Sequence, residues 1–183
     1  MGRRKRLPLE QVLLGFLMQE PMHGYDLHQQ IEADLDEIWY IGISNVYSAL
    51  KRLEQSSKVK STLVQQESHP SRKVYTITSA GEQSFLDWLH QSITTMRRVR
   101  VEFPTKLYFF RALRLENMDD LIAAQEAVCR RYAKRMEQQA AQCSPHDINR
   151  LAFDFRRRQI EAIINWLQFC RQEWASSPAE REA

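Results

Sequence analysis

The stretch "SNVYSALKRLEQSSKV", residues 44–59, decides the fold because a helical pattern ends within it and a strand pattern begins. Val46, Leu50 and Leu53 are spaced i, i+4 and i+7, which is the spacing of a buried stripe on an α-helix. Ser44 is predicted to be the N-cap of this helix. The stretch therefore predicts a short amphipathic helix that leads into a β-strand.

The side of this helix opposite the buried stripe is polar and basic. At about 100° per residue, it carries Ser44, Asn45, Ser48, Lys51 and Arg52. These residue types hydrogen-bond base edges and phosphates in DNA, and we expect Arg52 to contact a guanine edge and Lys51 a phosphate. Asn45 and Ser48 lie near the helix N-terminus, the end that enters a groove most deeply. For each residue taken alone, a solvated surface is the alternative explanation.

Two short segments rich in β-branched residues follow the helix. "KVKSTLVQQ", residues 58–66, and "RKVYTIT", residues 72–78, alternate in part and are predicted to be strands. "ESHPS", residues 67–71, is expected to be the hairpin loop, with Pro70 in its tip because proline cannot donate to a ladder. Arg72 and Lys73 flank this tip, from which a cation can reach a DNA backbone or a minor groove.

Two helical patterns precede the opening stretch. Apolar residues recur at helical spacing from Leu9 to Leu17, and "MHGYDLHQQIEADL", residues 22–35, is predicted to be a second helix. Three helices followed by a hairpin is the order of a winged helix-turn-helix, which we place at residues 1–80. The basic run "RRKR", residues 3–6, adds an arm of the kind that gains DNA affinity by releasing counterions.

The remainder of the chain is predicted to be long helices, so the expected fold class is mainly α with a small β-hairpin. A connecting helix is expected over residues 81–104, where Pro104 breaks or bends the pattern. A helical dimerisation region is expected over residues 105–175. The polar tail, residues 176–183, is predicted to be disordered.

The last helix has an apolar stripe with the threes-and-fours spacing of a coiled coil. Burying a Trp or Phe side chain is worth about 2–3 kcal/mol, so such a stripe favours a partner helix. A two-fold homodimer is the commonest way to supply one, and folding back on the same chain is the alternative. The residues predicted to form the dimer interface are Ile148, Leu151, Phe155, Trp166 and Phe169.

Several function classes find no support in the sequence. The five histidines show no metal-ligand spacing, and neither a glycine-rich phosphate loop nor a Gly-x-Ser-x-Gly elbow is present, so we expect no enzyme, no metal and no cofactor. Three widely spaced cysteines form neither a disulfide framework nor a zinc motif. No apolar run approaches the roughly 20 residues that cross a bilayer, and we expect a cytoplasmic protein that does not enter a membrane.

Residues 8 to about 90 resemble the winged-helix domain of the PadR family of bacterial transcriptional regulators. The resemblance is carried by "HGYDL" at 23–27, "SNVYSALKRLE" at 44–54 and "SRKVYTITSAG" at 71–81. The later segments "VEFPTKLYFF" at 101–110 and "RRRQIEAIINWLQF" at 156–169 are similar to the family's virulence-activator branch. The resemblance implies that the winged helices bind DNA as a dimer, that helix 44–55 is the recognition helix and that residues 67–73 are the wing.

Two positions deserve comparison with the family pattern. Tyr47 matches a family tyrosine, and it lies between core and surface, where it either packs or touches a phosphate. The family commonly has a glycine after the recognition helix, whereas this chain has "EQSSKV" at 54–59. A left-handed Ser56 or Ser57 there would cost about 1 kcal/mol.

The resemblance also raises the question of a ligand, because some family members bind aromatic compounds between the winged helix and the dimerisation helices. Trp39, Trp88 and Phe109, with Phe103 and Tyr108, are candidates to line such a pocket; core packing is the alternative. The expected function is a homodimeric, sequence-specific regulator of transcription that binds a palindromic site on double-stranded DNA. A helical protein–protein interaction module without specific DNA binding is the alternative, and the sequence does not separate a repressor from an activator.

Overall fold

The computed structural model describes residues 8–38, 40–66 and 69–176. Its elements are α1 (Leu9–Leu17), β1 (Met22–His23), α2 (Gly24–Leu35), α3 (Ile43–Gln55), β2 (Val59–Gln66), β3 (His69–Ile77), α4 (Ser79–His90), α5 (Met96–Ala112), α6 (Met118–Ala141) and α7 (Ile148–Ser176). Unit 1 comprises the described residues up to Gln91 together with Val101–Leu115. Unit 2 comprises Ser92–Arg100 and the described residues from Glu116 onward. The predicted fold class, mainly α with a small β-sheet, is confirmed.

The core of unit 1 forms around α1, which packs against α3 and α4. The predicted stripe of α3 is confirmed, since Val46, Leu50 and Leu53 are completely buried. Aromatic rings fill the rest, and Phe109 meets both Phe16 and Phe85 edge-on at centroid distances of 5.3 Å. Such edge-to-face pairs add stability beyond the buried area itself.

The predicted hairpin is present, and a third strand joins it. The strand order is β1-β3-β2, with antiparallel pairs such as Val59↔Ile77 and Met22↔Tyr75. The short strand β1 lies where the sequence pattern predicted the start of a helix, and α2 instead begins at Gly24. Pairing with β3 satisfies backbone groups of Met22 and His23 that an isolated chain would leave to water.

The expected position of Pro70 in the loop is wrong, because β3 begins at His69 and includes Pro70. The ladder shifts register between Val64 and Gln66, and the pairs on either side are Val64↔Arg72 and Gln66↔His69. Pro70 therefore falls at an irregularity, where a ladder tolerates a residue without an N–H donor.

The expected connecting helix over residues 81–104 is two helices, α4 and α5, separated by residues 91–95. The buried Lys106 caps the end of α4, because its Nζ donates to the carbonyl oxygen of Trp88 at 2.5 Å and to that of Gln91. Pro104 was expected to break or bend the pattern, yet α5 extends well past it on both sides. Burial of neighbouring side chains such as Phe103 and Phe110 offsets the proline cost of about 3 kcal/mol.

Unit 2 contains an antiparallel pair of long helices. Glu126, near the start of α6, accepts a hydrogen bond from Gln168 at 3.1 Å and pairs with Arg171 at 3.7 Å, both near the end of α7. The buried Gln125 side chain bonds both backbone groups of Ile93, accepting from its N–H at 2.6 Å and donating to its carbonyl at 3.0 Å. Among the described residues, the helices all fall short of the length and apolar character needed to cross a membrane.

Candidate nucleic-acid interface

The outer face of α3 presents all six of the residues that were predicted to contact DNA there. The side chains of Ser44, Asn45, Tyr47, Ser48, Lys51 and Arg52 are exposed. The expected N-cap is wrong, because Gly42 caps α3 and Ser44 lies in the first turn. His28 fixes this start through a 2.8 Å contact between its Nε2 and the Ile41 carbonyl oxygen, directly before the cap.

Arg52 forms an ion pair that the sequence did not reveal. Its Nε donates to Oε1 of Glu10 in α1 at 2.6 Å, and both side chains are two-fifths exposed or more. Lys51, one position earlier, makes no ion pair with any residue in the described ranges 8–38, 40–66 and 69–176. The two neighbouring cations therefore differ, since one is held by a carboxylate and the other is solvated.

Glu54 joins α3 to the hairpin of β2 and β3. Its carboxylate accepts a hydrogen bond from the Ser61 hydroxyl in β2 and lies 3.5 Å from Nζ of Lys73 in β3. The hydrogen bond from Ser61 lowers the pKa of the Glu54 carboxyl, and the charge of Lys73 acts in the same direction. This carboxylate is therefore ionised at neutral pH and fixes the base of the hairpin against α3. Its partners lie on two different strands, so no local spacing in the sequence signals the role.

The wing places Arg72 and Lys73 on β3, both with exposed side chains. In the ladder Arg72 lies opposite Val64 and Lys73 opposite Leu63. Leu63 is 68% exposed, which is unusual for a leucine in a small sheet and leaves apolar surface beside two cations. Of the wing predicted at residues 67–73, positions 67 and 68 lie outside the described residues.

Tyr47 packs against the backbone of Gly24 and still reaches solvent. A Cβ added to Gly24 would lie 2.6 Å from Cε1 of the Tyr47 ring, so only glycine permits this approach. The Tyr47 side chain is nevertheless 46% exposed. The motif "HGYDL" at 23–27 thus supports the flank of α3, and the outer edge of the Tyr47 ring stays exposed to solvent.

Of the two serines considered after α3, Ser57 is the one in the left-handed region, with a φ of 56°. The N–H of Lys58 donates to Leu53 at 2.9 Å and that of Ser57 to Glu54 at 3.0 Å, which is the Schellman pattern of a helix end. The Ser57 carbonyl accepts from the Thr78 hydroxyl at 2.8 Å. These bonds connect the end of α3 to the end of the hairpin.

Two of the three residues predicted to line a ligand pocket, Trp88 and Phe109, lie in the core of unit 1. Trp39 lies outside the described residues. Phe109 is completely buried among aromatic rings, and the mostly buried Trp88 donates its indole N–H to Glu102 at 2.7 Å. The Nζ of Lys106 lies 4.9 Å from the centroid of the Trp88 ring. These contacts are those expected for the core alternative. Within the described residues, no group of three or more His, Cys, Asp or Glu side chains could hold a metal.

Helix α7 has two apolar faces. Ile160, Ile164 and Leu167 are buried, and at about 100° per residue they fall on one side of the helix. The residues predicted to form a dimer interface fall on the opposite side, within a stripe about 60° wide. Four members of that stripe are more than half exposed and Trp166 is intermediate: Ile148, Leu151, Phe155 and Phe169.

Comparison with known proteins identifies the winged-helix part. A profile of the transcriptional regulator PadR-like family matches residues 13–87. The negative transcriptional regulator PadR of Bacillus subtilis is 29% identical over 117 residues, covering 64% of this chain and 64% of that protein. A probable transcriptional regulator of Mycobacterium tuberculosis is 24% identical over 91 residues, covering 50% of this chain and 48% of that protein. The matches thus span less than two thirds of either relative.

A solved structure of Bacillus subtilis PadR in complex with operator DNA is 21% identical, with a TM-score of 0.48, and the match covers 93% of this chain and 98% of that chain. The family profile ends before α5, so the similarity of the C-terminal half to the virulence-activator branch stays a prediction. The family's description as transcriptional regulators agrees with the expectation of a regulator rather than an enzyme. Residues 13–87 therefore carry the sequence pattern of the PadR-like family of transcriptional regulators.

Proposed function

We propose that this protein regulates transcription by binding double-stranded DNA with α3 as its recognition helix. The observation that carries the proposal is the exposed polar and basic face of α3, anchored to a basic wing through Glu54. A helix of this size fits the major groove, and its N-terminal residues reach base edges. Such a protein acts where the DNA is, which places it in the cytoplasm of a bacterial cell.

The exposed residues have distinct proposed roles. Asn45 and Ser48, in the N-terminal half of α3, hydrogen-bond base edges, and Lys51 neutralises a phosphate. Tyr47 presents its hydroxyl to the DNA backbone at the flank of the helix. Arg72 extends from the wing toward the flanking backbone or minor groove.

The protein is further proposed to act as a homodimer. One face of α7 is buried within unit 2, and four of the five apolar side chains predicted on the opposite face are more than half exposed. Exposed apolar side chains aligned on one face are typical of an interaction surface, and a second copy of α7 offers the same face in a two-fold arrangement. Two symmetric recognition helices would bind a palindromic site with half-sites separated by about one DNA turn or a multiple of it.

The dimer proposal is tested by Phe155→Glu, with Gln138→Glu as a control that adds the same charge to an exposed position of α6. Each Phe buried at a two-fold interface counts twice, so about 3–6 kcal/mol of association free energy is at stake. Sedimentation analysis should show twice the chain mass for wild type and the control, and one chain mass for Phe155→Glu. A Phe155→Glu protein that remains fully dimeric would exclude this stripe as the interface.

The DNA proposal is tested by selecting random duplexes on the purified protein at moderate salt and sequencing them. A two-fold symmetric motif is the expected result. Asn45→Ala should reduce the free energy of discrimination at particular base positions by about 1–3 kcal/mol. Lys51→Ala should lower the affinity for all DNA sites by a similar factor. It should also reduce the slope of log affinity against log salt concentration by about 1. Lys134→Ala, which removes the same charge from α6, is the control. DNA retained without a motif would mean electrostatic binding only and would favour a protein–protein interaction module.

We do not extend the proposal to a small aromatic effector, because Phe109 and Trp88 lie in the packed interior of unit 1. We therefore expect a panel of flat aromatic compounds to leave tryptophan fluorescence and DNA affinity unchanged. A compound that quenches the fluorescence and weakens binding to the selected site would establish an effector.

A further inference from the structure

The ion pair between Arg52 and Glu10 lies at the edge of the proposed DNA-binding face. At about 100° per residue, Arg52 lies about 50° to one side of the centre of the exposed face of α3, and Lys51 lies about 50° to the other side. Its partner Glu10 is in the first turn of α1, and Arg52 is in the last turn of α3. The helix dipole stabilises a carboxylate at a helix N-terminus and a cation at a helix C-terminus. Each of the two charges is therefore stabilised by its own helix even without the ion pair.

The contact is short yet accessible. Arg52 Nε lies 2.6 Å from Glu10 Oε1, while the Arg52 side chain is 44% exposed and that of Glu10 is 40% exposed. Exposed ion pairs contribute little, because water and salt screen both charges. A DNA phosphate or a guanine edge offers Arg52 an acceptor of equal or greater strength, and exchange requires only a side-chain rotation.

The second acid beside the site differs from Glu10. Glu54 holds Lys73 and also accepts a hydrogen bond from Ser61, so its carboxylate attaches the wing to α3. Within the described residues, Glu10 accepts only from Arg52 and attaches no other element. A carboxylate whose single contact is a cation of the recognition helix competes with DNA for that cation.

We infer that Glu10 is an affinity-determining residue that holds Arg52 until DNA displaces it. The inference rests on the proposed function, since it assigns a role to an acid that itself touches no DNA. Free protein keeps Arg52 paired with Glu10, and bound protein has Arg52 on the DNA. The cost of breaking the pair lowers the affinity for every site and reduces the dependence of that affinity on salt.

The test compares Glu10→Gln with Glu20→Gln, an exposed acid for which no ion pair occurs in the part of the chain that the structure describes. Both variants remove one negative charge. Fluorescence anisotropy on the selected duplex should show Glu10→Gln binding about two- to fivefold more tightly than Glu20→Gln at low salt. The advantage should shrink as salt rises. In an Arg52→Ala background the two substitutions should change the DNA affinity equally, because the cation that pairs with Glu10 is then absent.

Each other outcome has a defined meaning. Equal affinities of the two variants in the wild-type background would overturn the inference, as would an advantage of Glu10→Gln that persists with Arg52→Ala. Weaker DNA binding by Glu10→Gln would mean that Glu10 orients Arg52 toward DNA. That result would also overturn the inference that Glu10 competes with DNA for Arg52. Circular dichroism and urea midpoints of the variants exclude a folding defect. A wild-type protein that selects no motif would instead overturn the proposed function.

Discussion

Substitution of Gly81 by alanine should destabilise the winged-helix unit by about 2–4 kcal/mol. A Cβ at this position would lie 2.2 Å from the Lys58 carbonyl oxygen and 2.8 Å from Cγ1 of Ile77. Ordinary carbon–oxygen contacts are about 3.3 Å or longer, so the backbone of α4 or of Lys58 must move by about 1 Å. Neither is the flexible end of a side chain, and overpacking of this kind costs about 1–3 kcal/mol.

The displacement also strains two hydrogen bonds in the same place. The Lys58 carbonyl accepts from the Thr78 N–H at 3.0 Å, and the Gly81 N–H donates to the Thr78 hydroxyl oxygen at 3.2 Å as the N-cap contact of α4. Each is worth about 1 kcal/mol, and the better helix propensity of alanine returns about 1 kcal/mol. The net estimate of about 2–4 kcal/mol follows from these contributions.

The assay is urea unfolding followed by tryptophan fluorescence at one fixed protein concentration, with Gly42→Ala as the matched control. A Cβ at Gly42 would meet nothing nearer than Asn45 Nδ2 at 3.9 Å, and the backbone there has φ −70°. At an m-value of about 2 kcal/mol/M, Gly81→Ala should lower the midpoint by about 1–2 M. Gly42→Ala should stay within about 0.5 kcal/mol of wild type, because a lost N-cap preference and a stiffer unfolded chain offset each other. Equal midpoints for the two variants would refute the reasoning.

Three further predictions concern other contacts. Ser57→Gly should raise the unfolding free energy by about 1 kcal/mol in the same assay, since glycine relieves the left-handed strain; no change would mean that Ser57 is unstrained. Gly24→Ala should displace the Tyr47 ring, weakening DNA binding severalfold while costing about 1 kcal/mol or less, because the half-exposed ring can move toward solvent; unaltered affinity would remove Tyr47 from the interface. Hydrogen bonding from Arg130 lowers the pKa of the Glu126 carboxyl below its usual 4.5, so the stability it contributes is present above pH 4.5 and is lost as the pH falls through the lowered value. In the Glu126→Gln variant, the free energy of unfolding should therefore fall less steeply below pH 4.5 than in wild type. An equally steep fall would contradict this assignment.

Local signals in the sequence were sufficient to predict α3 and its buried and exposed faces. Val46, Leu50 and Leu53 share one face at a 3.6-residue period, which identified the buried side and, by difference, the exposed one. The missing glycine after α3 raised the question whether a serine there is left-handed, and the structure shows that Ser57 is. The buried stripe and the helix end each depend on a few neighbouring residues, so a single sequence is enough to recognise them.

Other features were mispredicted where packing overrides local preference. Pro104 lies inside α5, and Pro70 lies inside β3, although proline is a breaker in both settings. The single helix expected over residues 81–104 is interrupted at Gln91, where Lys106 takes the carbonyl oxygens of the α4 terminus. For the end of α4, the deciding partner is Lys106 of α5, which lies 15 or more positions away in the sequence.

Patterns of neighbouring residues are enough to recognise the polar and basic face of α3, the cations of the hairpin and the two apolar faces of α7. The pairing of these groups comes from the folded chain, which brings Arg52 to Glu10 across 42 positions and Lys73 to Glu54 across 19. The folded chain also buries one apolar face of α7 and leaves the other in water. A helical period depends on neighbours in sequence, whereas an ion pair or a buried face depends on which distant element packs alongside.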